Sequence, residues 1–242
     1  MKYFIISPTY NSDRFVQNNI KSVKEQLLPD GVELIHIIIN DGSTDSTKEV
    51  IDRNVWEKLI PIHKETRQGI MVSHLDGMRA ANIYPESSGG VIIHLDGDDW
   101  FNTPNAISRI HKEYLDTNCW ASYGNYVPTD PSFPKICGPT TDNDFRNKPW
   151  KWSHPRTFRL SLISNFTIND FVDENSNLYS SATDTAIFLP ILEWCGKDRI
   201  RFIDEELVVY NRHNPLSEDK IDLHDQIRCA RSILSKPSRS AL

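Results

Sequence analysis

Three carboxylates follow a short apolar segment near the middle of the chain and surround one glycine. The segment covers residues 91–95, and behind it come Asp96, Gly97, Asp98 and Asp99. A short, β-branched run predicts a buried strand, and the carboxyl end of such a strand is where open α/β sheets bind ligands. Carboxylate oxygens there suit Mg²⁺ or Mn²⁺ holding a diphosphate. A solvated acidic turn is the alternative interpretation.

Two earlier apolar segments also lead into polar loops. Residues 3–6 predict a strand before Pro8-Thr9-Tyr10-Asn11, and residues 35–39 predict one before Asp41-Gly42-Ser43-Thr44-Asp45. With Asp96-Gly97-Asp98-Asp99, these segments resemble three motifs of the family 2 glycosyltransferases. Each motif is weak alone, but their order and separation are typical of the family, and the resemblance covers roughly residues 2–213.

The resemblance implies an α/β fold of the GT-A (Rossmann-like) type. We expect one domain at residues 1–215, with a mostly parallel central sheet flanked by helices and a small acceptor-side region. Within it, residues 1–118 would form the nucleotide-sugar-binding half and residues 119–215 the acceptor half, and residues 216–242 a helical tail. The implied activity is inverting, metal-dependent transfer from a UDP-, dTDP- or GDP-sugar to a hydroxyl acceptor in glycan or polysaccharide synthesis.

The resemblance also implies roles for individual residues in donor binding. Asp98 would bind Mn²⁺ or Mg²⁺, and His213 resembles a histidine near the metal in some relatives, although a lone histidine is more often structural. Asp41 would accept a hydrogen bond from an imide N–H of the base. The predicted nucleotide-sugar-binding residues are Pro8, Thr9, Tyr10, Asn11, Asp41, Arg67, Gly69, Asp96 and Gly97.

Asp184 matches the aspartate of the family's Glu-Asp pair and is the candidate general base, because a carboxylate near the acceptor hydroxyl can take its proton. A helix N-cap is its alternative role. The family's glutamate is Thr183 in this chain, and its frequent Arg-Asn pair is His74-Leu75. These departures leave the sugar of the donor open.

A long irregular connection rich in proline is predicted for residues 125–160, and long loops in compact domains are often functional. Aromatic rings can stack on sugars, and arginines bind phosphates. The predicted acceptor-side residues are Trp152, His154, Arg156 and Arg159. The other interpretation is a loop that tryptophans pin to the core.

The second half of the chain contains weaker patterns. Residues 185–196 predict a helix, and residues 200–203 and 207–210 predict two short strands. An amphipathic helix is predicted for residues 219–235, with the inward residues Ile221, Ile227, Ala230 and Leu234. We interpret that helix as a packing or dimer helix rather than a membrane anchor.

Composition narrows the class of protein. The net charge of −6 argues against nucleic-acid binding, and the four scattered cysteines suggest neither zinc nor disulfides. No leader-like or membrane-spanning run is visible, so we expect a cytoplasmic protein. A peripheral membrane contact and a homodimer stay open.

Two other functions compete with transfer. A catalytically silent nucleotide- or carbohydrate-binding module would use the same fold, but Asp96, Asp98 and Asp184 together argue against it. A sugar nucleotidyltransferase would usually have a glycine-rich basic loop after the first strand, and this chain has Ser7-Pro8-Thr9-Tyr10-Asn11 there.

Overall fold

An eight-stranded sheet forms the centre of the computed structural model, which covers residues 1–242. Across the sheet the strands lie in the order β3-β2-β1-β4-β7-β6-β8-β5. In chain order they are β1 (Lys2–Thr9), β2 (Glu33–Asn40), β3 (Leu59–His63), β4 (Val91–His94), β5 (Trp100–Phe101), β6 (Ala121–Pro128), β7 (Arg156–Arg159) and β8 (Ile200–Tyr210).

The sheet is mixed rather than mostly parallel throughout. The first four neighbours, β3, β2, β1 and β4, are parallel. β7 is antiparallel to β4 and β6, β8 is parallel to β6, and β5 is antiparallel to β8. In the β4–β7 pair, Arg156 lies opposite His94 and Arg159 opposite Val91. The start of β7 therefore lies at the carboxyl end of β4.

Seven helices accompany the sheet. They are α1 (Val16–Lys24), α2 (Thr47–Arg53), α3 (Ile70–Ile83), α4 (Ala106–Thr117), α5 (Thr183–Cys195), α6 (Glu218–Ile221) and α7 (Leu223–Ser235), with 3₁₀ turns at Leu160–Asn165, Ile168–Asp170 and Lys197–Arg199. The predicted α/β class, with helices flanking one sheet, is confirmed. None of the helices is both long enough and apolar enough to span a bilayer.

The alternation of side chains along β1 shows how the core is divided. Tyr3 and Ile5 pack with α4 residues on one face of the sheet, whereas Phe4 and Ile6 pack with α3 and α5 residues on the other. All four are fully buried, and each such side chain contributes about 1.5–3 kcal/mol relative to exposure. Burial on both faces explains why the strand sequences read as continuous apolar runs.

Both segments predicted as strands in the second half are strand, but their separation into two strands was wrong. Residues 200–203 and 207–210 belong to one long strand, β8, whose pairing with β6 is irregular around Asn125. The polar residues Asp204, Glu205 and Glu206 continue this strand and are exposed or partly exposed, which made the sequence look interrupted. β7 was missed because its four residues lie within the proline-rich connection.

The predicted tail helix exists in two parts, and its buried face is only partly as predicted. Asp222 ends α6 and caps α7, where its side chain accepts a hydrogen bond from the Asp225 amide at 2.9 Å. Ile221 and Ile227 are exposed, whereas Cys229 and Ile233 are buried. Ala230 and Leu234 are partly buried and pack against the core, so the predicted inward face is correct for these two residues and wrong for Ile221 and Ile227.

Candidate active site

A cleft of about 320 Å³ opens at the carboxyl ends of β1, β2 and β4. This is the edge at which the parallel strands deliver their loops, as expected for an open α/β sheet. Most of the predicted site residues line it: Pro8, Thr9, Tyr10, Asp41, Arg67, Asp96, Asp98, His154, Arg156 and Asp184.

The loops after β1 and β4 lie in direct contact below the cleft. The Gly97 amide donates to the Pro8 carbonyl at 2.9 Å, and a Cβ at Gly97 would lie 2.5 Å from the Thr9 Cβ. Only glycine permits this approach. Gly97 is therefore a structural part of the site rather than part of its surface.

Asn11 and Ser43 connect the loops after β1 and β2. The Asn11 side-chain oxygen accepts from the Thr44 amide at 2.8 Å, and the Asn11 amide donates to the Ser43 hydroxyl at 2.9 Å. Asn11 lies beside the cleft and is absent from its lining. Its contacts fix the two loops relative to each other.

Asp41 is buried and holds the segment that opens α3. Its carboxylate accepts from the Gln68 and Gly69 amides at 3.0 and 2.8 Å, and Lys64 Nζ lies 3.2 Å away. Gly69 has a φ of 99°, a conformation that side chains disfavour. Asp41 thus determines the path of the chain next to Arg67.

Arg67 is the exposed basic residue on this side of the cleft. Its guanidinium carbon lies 4.2 Å from the centre of the Tyr10 ring, within the range of a cation–π contact. This contact keeps the planar cation beside the loop after β1, where it can meet an anionic group.

The carboxylates after β4 are held by the segment after β8. Asn214 Nδ2 donates to Asp98 Oδ2 at 2.7 Å, and the Asn211 amide donates to Asp99 Oδ1 at 2.8 Å. Burial raises the pKa of Asp98. Each carboxylate therefore has one protein donor and keeps further oxygen lone pairs.

A group of three residues could hold a metal ion. Ligand atoms of Asp96, Asp99 and His154 all lie within 4.8 Å of one another. Asp99 Oδ2 and His154 Nδ1 are buried without hydrogen-bond partners and lie 3.9 Å apart. Two unpartnered acceptors facing each other fit a cation between them, since a neutral imidazole and carboxylates are common metal ligands.

The electrostatics of this group agree with such a role. Burial raises the pKa of Asp96 to about 6. Burial and the neighbouring Asp98 and Asp96 raise the pKa of Asp99 well above its usual range. Burial and the Arg156 cation hold the pKa of His154 well below its usual value. The crowded carboxylates favour a bound positive charge, and protons supply it when no metal is bound.

Asp184 lies across the cleft, on the first turn of α5. Its Oδ2 is 3.3 Å from Nη1 of the buried Arg156, and its Oδ1 accepts from the Thr185 amide at 2.7 Å. The N-cap of α5 is Ala182, not Asp184, so the alternative capping role is wrong. The ion pair leaves Asp184 partly exposed to the cleft.

The sequence profile described as glycosyl transferase family 2 matches residues 4–181 of the 242. The chain belongs to glycosyl transferase family 2. The chain is 30% identical over 119 residues to the minor teichoic acid biosynthesis protein GgaA of Bacillus subtilis (strain 168). The match covers 48% of the chain and 25% of that protein. It thus spans about a quarter of the length of that relative.

Solved structures agree on the fold of this family 2 glycosyltransferase. TarS 1–349 of S. aureus in complex with UDP-GlcNAc has a TM-score of 0.70 at 17% identity, over 99% of this chain and 68% of TarS 1–349. The mannosyltransferase PcManGT of Pyrobaculum calidifontis, in complex with GDP-Man and Mn²⁺, has a TM-score of 0.61 at 16% identity, over 98% and 65%. The predicted GT-A fold is confirmed.

Besides Asn11, Gly69 and Gly97, three more predicted site residues are absent from the lining of the cleft. His213 is exposed, and its backbone amide donates to Asn211 Oδ1 at 2.9 Å. Its neighbour Asn214 lines the cleft. Trp152 is buried and donates to Thr140 at 2.8 Å, as the interpretation of a pinned loop requires. Arg159 donates to the Cys119 carbonyl at 2.9 Å, at the far end of β7.

The side of the cleft that follows β8 was not predicted from the sequence. Its lining includes Asn214, Glu218, Ile221, Asp222, Asp225 and Gln226. Glu218 Oε2 accepts from the Ser181 hydroxyl at 2.6 Å and from the Ala182 amide at 3.2 Å. Burial raises the pKa of Glu218 to about 7. No motif or periodicity marks these residues, because α6 is a single turn in an irregular segment.

Proposed function

We propose that this glycosyltransferase is an inverting, metal-dependent enzyme that uses a nucleoside-diphosphate sugar and a hydroxyl acceptor. The observation that carries the proposal is the position of the Arg156–Asp184 pair. It shares one cleft with Asp96 and His154, and the buried Asp99 completes the group of metal-binding candidates with these two residues. One cleft thus offers charge stabilisation for a leaving diphosphate and a carboxylate for an acceptor hydroxyl.

The nucleotide would occupy the part of the cleft between the loops after β1 and β2. Pro8, Thr9 and Tyr10 line that part, and Arg67 offers a cation for a phosphate. Asp41 accepts backbone hydrogen bonds at both oxygens, but a carboxylate has about four lone-pair sites and can accept one more from an imide N–H. The UDP-GlcNAc and GDP-Man complexes of the solved neighbours support uridine and guanosine sugars as candidates.

Mn²⁺ or Mg²⁺ would be held by Asp96, Asp98 and Asp99, with His154 as a nitrogen ligand. When bound, the ion would act as a Lewis acid that stabilises the charge developing on the leaving diphosphate. The protein contributes the unpartnered oxygen of Asp99 and the neutral imidazole of His154. Asn211 and Asn214 orient the carboxylates from outside this group, as supporting residues of metal sites commonly do.

Asp184 would accept the proton of the acceptor hydroxyl. The acceptor oxygen forms its bond to the anomeric carbon while the bond to the diphosphate breaks, so a single displacement inverts that carbon. Arg156 would hold the Asp184 carboxylate in place through the 3.3 Å contact. Since the carboxylate must lie within about 3 Å of the hydroxyl to take its proton, this restraint bears directly on the rate.

The acceptor is proposed to belong to glycan or polysaccharide synthesis. The similarity to a minor teichoic acid biosynthesis protein supports a cell-surface polymer as the first acceptor to test. Hydroxyl side chains of Ser180, Ser181, Thr183 and Ser217 line the acceptor part of the cleft. Such groups can both donate to and accept from a polyol or a sugar.

A panel of nucleotide-sugars tests the proposal. The protein is mixed with UDP-, dTDP-, GDP-, ADP- and CDP-sugars in Mn²⁺, and the midpoint of thermal unfolding and the slow release of free sugar are measured. A bound donor stabilises the folded state by mass action. Uridine, thymidine or guanosine sugars should raise the midpoint, because they carry an imide or equivalent N–H for Asp41. Equal shifts for all five would remove Asp41 from base recognition, and no shift and no hydrolysis would reject the proposed donor class.

A further inference from the structure

One segment of the chain connects both sets of carboxylates in the cleft. Residues 211–218 contact Asp99 through the Asn211 amide at 2.8 Å and Asp98 through the Asn214 side chain at 2.7 Å. Four residues after Asn214, the Glu218 carboxylate reaches the N-terminus of α5. The segment therefore spans from the carboxylates after β4 to the helix that carries Asp184.

The turn that Glu218 contacts has an unfavourable backbone conformation. Ala182, the N-cap of α5, has φ 53° and ψ 31°, in the left-handed region where a Cβ crowds the following carbonyl. Its amide donates to Glu218 Oε2 at 3.2 Å, and the preceding Ser181 hydroxyl donates to the same oxygen at 2.6 Å. Such a conformation persists only where surrounding contacts hold it.

Glu218 is itself firmly held. Arg212 forms an ion pair with Asp219 at 2.5 Å, and Lys220 donates to the Arg212 carbonyl and, at 3.0 Å, to the Asn214 carbonyl. These contacts flank Glu218 on both sides in the sequence. They hold the backbone of this segment in place, and with it the position from which the Glu218 carboxylate accepts its two hydrogen bonds.

We propose that Glu218 is a positioning residue, which holds Ala182 in the left-handed conformation and thereby sets the first turn of α5 and Asp184. The inference rests on the proposed role of Asp184 as the base. Asp184 lies two residues after Ala182, and its 3.3 Å contact with Arg156 depends on where that turn begins. The required property is an acceptor oxygen at residue 218, not a negative charge.

Three variants test the role of Glu218. Glu218→Ala removes the acceptor, and kcat should fall about tenfold to a hundredfold, the scale of a small misplacement of a reacting group, while the Kd for the donor stays unchanged. Glu218→Gln keeps an acceptor oxygen and should retain most of the turnover that Glu218→Ala loses. Glu218→Ala/Ala182→Gly should recover turnover, because glycine has no Cβ and adopts the left-handed conformation without the contacts from Glu218.

Ala182→Gly alone is measured as the reference for the double variant, and Ser181→Ala removes only one of the two contacts. If Glu218→Ala does not fold, Ser181→Ala and the double variant still test whether these contacts position the turn. Unchanged kcat in Glu218→Ala would overturn the proposal. So would an inactive Glu218→Gln together with an unrescued double variant, since the carboxylate would then act on the substrate directly.

Asp184→Asn in the same assay separates this inference from the proposed mechanism. Near-normal turnover of Asp184→Asn would reject the base. Recovery of Glu218→Ala by glycine at residue 182 reports only on the turn. The two results are independent, so a failure of either proposal is recognised separately.

Discussion

The two walls of the cleft are built in different ways. We name them by their proposed roles. The donor wall consists of the loops after β1, β2 and β4, and the acceptor wall consists of the start of β7, the first turn of α5 and the segment after β8. In the donor wall, Asp41 is held by backbone amides. In the acceptor wall, Asp184 and Glu218 meet partners from distant segments, Arg156 and Ser181.

The two walls differ in what holds their side chains in position. Parallel strands bring their carboxyl ends to the same edge, so the donor wall follows from the sheet. The acceptor wall depends on individual side-chain contacts, each of which a single substitution can remove. We therefore expect substitutions in the donor wall to affect ligand binding, and those in the acceptor wall to affect turnover with binding retained.

The largest effect is expected for Asp98→Ala. Transfer in Mn²⁺ should be abolished and nucleoside-diphosphate binding weakened, because a carboxylate close to the diphosphate is lost. The fold should survive, with a midpoint of unfolding within about 3 °C of the wild type. Asp98 is partly exposed, and its side chain accepts one hydrogen bond, from Asn214. Calorimetric titration with and without EDTA checks this, and full activity of the variant or of the EDTA-treated enzyme would contradict it.

Asp184→Asn should have the next largest effect. Asparagine keeps the size and can still accept from the Thr185 amide, but it cannot take a proton. Turnover should fall by about a hundredfold or more, with the donor Kd unchanged. Steady-state rates and donor titration on the same preparation test it, and a weaker Kd with normal kcat would remove the contrast between the two walls.

A matched pair on β7 gives a smaller effect. Arg156 pairs with Asp184, whereas Arg159 donates to the Cys119 carbonyl and the Asn118 side chain. Arg156→Lys should lower kcat by about tenfold, because lysine cannot reproduce the planar fork that orients a carboxylate. Arg159→Lys should leave kcat unchanged. An equal loss of kcat in both variants would indicate that turnover depends on β7 as a whole and not on the Arg156–Asp184 contact.

The smallest effect is a pH-dependent change in stability at Glu218. Burial raises its pKa in the folded protein from 4.5 to about 7, so the ionised side chain destabilises the fold above pH 7, and this penalty disappears as the pH falls to 4.5. Glu218→Gln has no such penalty. Its midpoint of unfolding should exceed that of the wild type by roughly 5 °C at pH 8 and match it near pH 4.5. An offset independent of pH would contradict the shifted pKa.

The same division explains how far the sequence could predict the molecule. Strands β1, β2 and β4 were recognisable as apolar runs, and the polar residues behind them, such as Asp41 and Asp96, necessarily meet at one edge. Asp184 could be found only through the family motif. Arg156 was predicted for the acceptor side, but its pairing with Asp184 requires the antiparallel register of β7 against β4, which no local pattern encodes.

Other parts of the site could not be predicted from the sequence, for a related reason. Glu218 and Asn214 belong to a segment without periodicity, and their partners lie more than thirty residues away. His213 was chosen through the family resemblance and Arg159 by residue type, and neither residue lines the cleft. Residue type suggests chemistry, but the direction of a side chain in an irregular segment depends on tertiary contacts.

The antiparallel insertion of β7 has a consequence for diversification of this scaffold. Its first residue, Arg156, lies opposite His94, and residues 129–153 before it connect β6 to β7. This connection cannot be exchanged as a whole, because Phe145 and Trp152 are buried in the core and Arg146 pairs with Glu193 of α5 at 2.5 Å. None of its residues lines the cleft, so its exposed residues are free to diverge among relatives without changing the reaction site.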